Sequence, residues 1–338
     1  MQPDLARAAE RLVRDQMAVR AGEGVLITTD TAADARAAAA VFAAAGAAGA
    51  RPNLMVLPQL PFQGKLADPY VSPALAAAAA ASDVWIDLTL PYFAGSEVHD
   101  RAMKNRRTRY FLGVDLGGPG LARLYGDVDL DRLYDAQDAL DALIARATGK
   151  ACRIVNPAGT DIVFQLAKST ANKRRRADRP GTISPPGSCL IYPELESVKG
   201  RVVLAKVFHE YYAALPTPMT VHLDGRIRAV EGGGAERAVM ERALRRAAGG
   251  GYGHIIHFTL GFHPAARWGH GFIEDIRVAG TNAVGFGTPW WLPGGGENHP
   301  DGVVTEQTLW VDGALIAERG VVVDPRDAAA ALVRLGPR

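Results

Sequence analysis

Apolar positions change their spacing partway along the chain. As far as residue 143, short apolar runs such as Gly24-Val-Leu-Ile-Thr28 and Asp83-Val-Trp-Ile-Asp-Leu88 alternate with longer Ala-rich or amphipathic stretches at helical spacing. This predicts helices near 5–20, 32–48 and 73–82, one after Ser96 and one over 129–147, with strands at 24–28, 52–57, 83–88 and 109–114. Strands separated by helices imply βαβ units, so the fold class is α/β, with a doubly wound, mostly parallel N-terminal domain. Beyond Lys150 the pattern turns to strands and tight turns, predicted at 152–155, 161–165, 189–192, 201–207, 220–223 and 227–230. One helix, 235–248, ends at a glycine run, and strands resume at 254–260, 280–286, 305–311 and 314–319. A mixed, largely antiparallel α+β C-terminal domain is expected, with the division into 1–150 and 151–338.

The 338 residues exceed what one core usually holds, which fits two domains. With 48% hydrophobic and 22% charged residues the chain is an ordinary globular protein, and a net charge of +2 gives no reason to expect nucleic acid. The basic run Lys173-Arg-Arg-Arg-Ala-Asp-Arg179 lacks interleaved aromatics and reads as a solvated loop. Cys152 and Cys189 form no CxxC pair, so no thiolate zinc site or disulfide framework is expected and a reducing cytoplasm fits. The N-terminus does not read as a signal peptide, and no apolar run is long enough for a membrane span.

Five of the eight histidines, His254, His257, His263, His270 and His299, crowd into one stretch. The last lies in Gly294-Gly-Gly-Glu-Asn-His-Pro-Asp301, where extended backbone brings an imidazole and a carboxylate two residues apart to one ion. One more histidine completes a two-His-one-carboxylate set, which favours Fe(II) and leaves positions open for substrate and oxygen. His257, central in an apolar strand, is either a satisfied core histidine or that ligand; the downstream His-x-Asp favours the ligand. His263 precedes a proline and lines a pocket or sits in an exposed turn; His254 and His270 read as structural. Gly113-x-x-x-Gly117-Gly-Pro-Gly120 does not match a dinucleotide-binding turn. No GxSxG, P-loop or HExxH occurs, which argues against serine-hydrolase and zincin chemistry.

Asn156-Pro-Ala-Gly-Thr-Asp161, Pro185-Pro-Gly-Ser-Cys-Leu-Ile-Tyr-Pro-Glu194, His257 through Trp268, Gly280-Thr-Asn-Ala-Val-Gly-Phe-Gly287 and Asn298-His-Pro-Asp301 resemble a known family. It is the two-domain metallo-aminopeptidases of thermophilic bacteria, and more closely their oxygenase branch, the 2,5-dihydroxypyridine 5,6-dioxygenases. Ser188, His257 and Ala283 stand where the peptidases resemble a two-metal site, while His257, His299 and Asp301 match the iron ligands of the dioxygenases. The resemblance therefore implies a mononuclear non-haem Fe(II), extradiol-like, ring-cleaving dioxygenase acting with O₂ on a hydroxylated pyridine or related ring. It also implies a homo-oligomer. A metallo-aminopeptidase with Zn, Co or Mn is the alternative, using Glu194, Glu274 or Glu297 as a further ligand.

The dioxygenases resemble a site with a histidine after the third strand and another before the Pro-x-Gly turn. Here these regions hold Tyr92, and Ile183 with Ser184, so Tyr92, Ser184 and His263 are the candidates for proton handling. Ser188, Arg267, Trp290 and Trp291 are pocket candidates, the tryptophans for stacking and the arginine for a substrate carboxylate.

Overall fold

The computed structural model describes residues 3–126, 128–168, 176–177, 179–289, 292 and 299–335. In chain order the helices are α1 (Pro3–Arg11), α2 (Ala35–Ala47), α3 (Pro73–Ala81), α4 (Glu97–Lys104), α5 (Gly118–Tyr125), α6 (Leu130–Arg146), α7 (Glu236–Ala247), α8 (Phe272–Asp275) and α9 (Arg326–Leu335). The strands are β1 (Gly24–Asp30), β2 (Arg51–Leu57), β3 (Val84–Asp87), β4 (Arg109–Leu112), β5 (Ala151–Val155), β6 (Asp161–Gln165), β7 (Gly181–Ile183), β8 (Ser188–Ile191) and β9 (Lys199–Phe208). They continue as β10 (Tyr212–Asp224), β11 (Arg226–Gly232), β12 (His254–Gly261), β13 (Asn282–Gly287), β14 (Asp301–Val304), β15 (Thr308–Val311), β16 (Ala314–Glu318) and β17 (Val321–Val322).

Two compact units share the chain: Met1–Val128, Ala171–Pro185 and Gly269–Glu274 in one, and Asp129–Thr170, Pro186–Trp268 and Asp275–Arg338 in the other. In the first, β2-β1-β3-β4-β7 form a parallel sheet. Every residue of β3 and β4 is buried, as a parallel sheet with both faces covered requires. Its helices start where short polar side chains can satisfy free backbone N–H groups: Asp34 accepts from Arg36, Ser72 from Leu75 and Ser96 from His99.

Several expectations change. The helix expected over 5–20 is α-helical only to Arg11, then widens into a π-helical turn at Leu12–Gln16. No helix was expected between the strand at 109–114 and residue 129, yet Gly118–Tyr125 form α5, whose first turn tolerates Pro119 because its missing N–H would be unpaired there anyway. Residues beyond 150 return to the first sheet as β7, and α6 belongs with the second unit, so the units divide differently from a single cut near 150.

In the second unit the remaining strands join a twelve-stranded sheet in which every described pairing is antiparallel. β10 is far longer than the expected 220–223. Pro216 and Pro218 fall where its pairing with β9 is interrupted, between Ala214 and Met219, so their missing N–H groups break no ladder bond.

Two anchored turns carry candidate residues. In the first unit Asp87 accepts hydrogen bonds from Thr28 (3.0 Å), Thr89 (2.6 Å), Tyr110 (2.5 Å) and the Phe93 amide (3.0 Å), while Asp30 accepts from the Leu90 amide (2.8 Å). Burial pushes the Asp87 carboxyl above its usual range, against the pull of the Thr89 and Tyr110 hydroxyls. The loop holding Tyr92 is fixed between these carboxylates. In the second unit fully buried Gln137 on α6 grips the Pro-x-Gly turn, accepting from the Gly187 amide (2.9 Å) and donating to the Ser188 carbonyl (2.5 Å).

Candidate metal centre

β12 runs through the apolar interior of the second sheet, with Ile255, Ile256 and Phe258 at most 1% exposed. Its pairing with β13 shifts between Ile255 and His257, a bulge that re-aims the side chain at 257. From there the register reads straight across the sheet. His257 pairs with Gly285 on β13, and Gly285 with Asp301 at the start of β14. Two strand spacings, on the order of 9 to 10 Å, therefore separate the two chemical residues.

Gly285 lets the imidazole cross that gap. A Cβ built at 285 would fall against Nε2, Cδ2 and Cε1 of His257, well inside van der Waals contact. With no side chain there, His257 Nε2 comes to 3.3 Å from Asp301 Oδ1, and His299 Nε2, from just before β14, to 3.6 Å from Asp301 Oδ2. The two imidazole planes lie at 83°. All three ligand atoms fall within 4.8 Å of one another, the group of this kind found among the described residues.

These residues fit a metal ion. Asp301 is 3% exposed, and its Oδ1 receives no hydrogen bond among the described residues. A buried carboxylate oxygen left in that state costs about 1–3 kcal/mol or more, which a cation beside it removes. Nitrogen and oxygen donors about 2.0–2.2 Å from one ion lie on the order of 3 to 3.5 Å apart, close to the separations seen. Two imidazoles and a carboxylate leave further positions open, the arrangement suited to non-haem iron.

The other candidates lie as follows. Tyr92 and Ser184 are both buried in the first unit, and the Ser184 carbonyl accepts from Gln16 Nε2 at 2.8 Å. His263 is buried rather than in an exposed turn: its amide donates to the Arg277 carbonyl (2.8 Å), and Gly187, at φ +93°, packs against its ring. Its Nδ1 accepts from the Ala265 amide (3.2 Å), which leaves the ring proton on Nε2. His263 is not one of the three residues whose ligand atoms converge among the described residues. Ser188 is buried at the start of β8, Arg267 is exposed, and Trp290 and Trp291 lie outside the described residues.

Of the carboxylates that could have completed a two-metal site, Glu194 is exposed and Glu297 lies outside the described residues. Glu274 is held by Arg123 through two hydrogen bonds of 2.6 and 2.8 Å.

Residues 8–324 match the model of the 2,5-dihydroxypyridine 5,6-dioxygenase family. The chain belongs to that family. Membership in the dioxygenase family implies an enzyme with a metal cofactor, a small aromatic substrate and O₂. The 2,5-dihydroxypyridine dioxygenase of Pseudomonas putida KT2440 shares the fold at TM-score 0.74 and 19% identity, over 96% of this chain and 98% of that one. AmpT from Thermus thermophilus matches at TM-score 0.63 and 15% identity, over 95% of this chain and 99% of its own. No curated protein matches the chain significantly. Among the described residues, no helix of this family member is long and apolar enough to cross a membrane.

Proposed function

We propose that the chain is a mononuclear non-haem Fe(II) dioxygenase that opens a hydroxylated pyridine or closely related aromatic ring, with His257, His299 and Asp301 as the iron ligands. The observation that carries this reading is their convergence around a buried carboxylate oxygen with no hydrogen bond among the described residues, made possible by Gly285. Bound iron supplies the redox chemistry that lets O₂ react with the ring. The protein's own part is to hold three donors on one side of the ion and leave the rest of its surroundings for substrate. Tyr92 is the proposed proton-handling group, because Asp87 and Asp30 fix the loop that carries it.

Anaerobic reconstitution with Fe(II), followed by oxygen uptake against dihydroxypyridines and catechols and by assay of aminoacyl chromogenic substrates, tests this. One iron per chain and ring-dependent O₂ consumption are expected, with iron lost in His257→Ala and His299→Ala. Peptide cleavage without O₂ consumption, or two divalent ions per chain, would instead identify a hydrolase.

A further inference from the structure

The face of the second sheet that carries His257 and Asp301 also carries a cation. Side chains two apart on a strand share a face, and β14 pairs with β9 without a bulge: Asp301 opposite Phe208, Gly302 opposite Val207, Val303 opposite Lys206. Lys206 is thus the diagonal neighbour of Asp301, at a backbone separation of about 7–8 Å. It projects from the same side of the sheet as the metal ligands.

Its surroundings are unusual for a lysine. The side chain is only 11% exposed, and Nζ donates to Asp275 Oδ2 at 2.5 Å. The same oxygen accepts from the Tyr212 hydroxyl at 2.6 Å, and Asp275 is fully buried. The ammonium lies 4.2 Å from the centre of the Trp268 ring and 5.1 Å from that of Tyr212, which pairs with Phe208 in the next strand. An ammonium carries three donors, and Asp275 is its one hydrogen-bond acceptor among the described residues. Cation and aromatic wall are therefore held together, one diagonal step from the metal ligands, with hydrogen-bonding capacity left over.

Packing alone gives little reason for this arrangement. Replacing a buried ion pair by apolar residues of similar volume is commonly neutral or stabilising. The neighbours of Asp301 on this face, Phe208 and Val303, are themselves apolar and buried.

We propose that Lys206 is a substrate-binding residue that takes an anionic oxygen of the aromatic ring, a carboxylate or ionised hydroxyl distinct from the oxygen at the metal, with Trp268 forming a wall against the ring. The proposal rests on the dioxygenase reading above and adds to it the residue that receives the ring oxygen not at the metal, the Lys206 ammonium. Asp275 and Tyr212 are positioning residues that fix Nζ.

The test compares two rings that differ in the second oxygen, 5-hydroxypyridine-2-carboxylate and 3-hydroxypyridine, titrated anaerobically into the Fe(II)-loaded protein and followed by tryptophan fluorescence. The wild type is expected to bind the carboxylate-bearing ring at least about tenfold more tightly. In Lys206→Met that preference falls to near unity at unchanged iron content, and in Lys206→Arg most of it returns. If Lys206→Met does not fold because Asp275 is left as an unpaired buried charge, the double variant Lys206→Met with Asp275→Asn takes its place. A preference that persists without the lysine, or a wild type that binds both rings equally while taking up iron and consuming O₂, overturns the role of Lys206. A wild type that binds no iron and consumes no O₂ with any ring overturns the dioxygenase reading instead.

Discussion

An alanine at position 285 would place a methyl group against the His257 imidazole, on the strand that separates it from Asp301. Because a Cβ and the present ring position exclude each other, Gly285→Ala is expected to weaken iron affinity at least about tenfold, roughly 1.4 kcal/mol, while the far-ultraviolet circular dichroism stays native. In a His257→Ala background, with no ring to displace, the same substitution should leave the urea midpoint of the metal-free protein where the single variant has it. Full iron loading in Gly285→Ala would show that the ring has another route to Asp301. The convergence of His257, His299 and Asp301 was legible in the chain because His299 and Asp301 are neighbours in sequence and His257 is an oddity within an apolar run. Gly285 was not legible, since its role exists only through a register joining three strands. For His263 the following proline left a pocket-lining position and an exposed turn both open, and the structure excludes the second, since Gly187 and the Arg277 carbonyl pack against it.

Asp34 ties two helices together. It caps α2 through the Arg36 amide (3.1 Å) and accepts the Gly118 amide at the start of α5 (3.0 Å). The Arg36 side chain, more than those backbone bonds, holds its carboxyl down from 3.8 to about 2. A carboxyl whose folded pKa is depressed contributes stability above its unfolded pKa and loses it as pH falls through the folded one. Asp34→Ala is therefore expected to cost about 1 kcal/mol at neutral pH, with the difference in urea midpoint from the wild type shrinking as pH drops below about 4 toward 2. A gap independent of pH would assign the effect to packing. Elements with strong local signals, such as the apolar run of β1, the Ser72 cap and alanines of α3 and the amphipathic spacing of α6, followed the sequence pattern closely. Those that departed from it did so where local signals conflict with long-range pairing. The prolines of β10 sit in an unpaired interval, the glycines of α5 sit in its first turn, and three-residue β7 exists only because β4 offers an edge.

At the scale of the whole molecule, the chain passes back and forth between the two units five times. A fragment ending at residue 150, the boundary the sequence pattern invites, leaves β4 without β7 and takes α6 away from the unit it packs in. Such a fragment is expected to aggregate or to unfold without a cooperative transition, as read by size-exclusion chromatography and urea titration. A monomeric fragment that unfolds cooperatively would show that β7 is dispensable to the first sheet. The same threading also affects synthesis. Roughly 70 residues separate the end of β4 from the start of β7, so at about 5–20 residues per second the ribosome takes on the order of 4 to 14 s to deliver the missing edge. During that interval β5 and β6 emerge, which belong to the other sheet. A nascent chain in which β4 has already paired with β3 therefore presents a bare parallel edge for seconds, the kind of surface that pairs with other chains until β7 arrives to cover it.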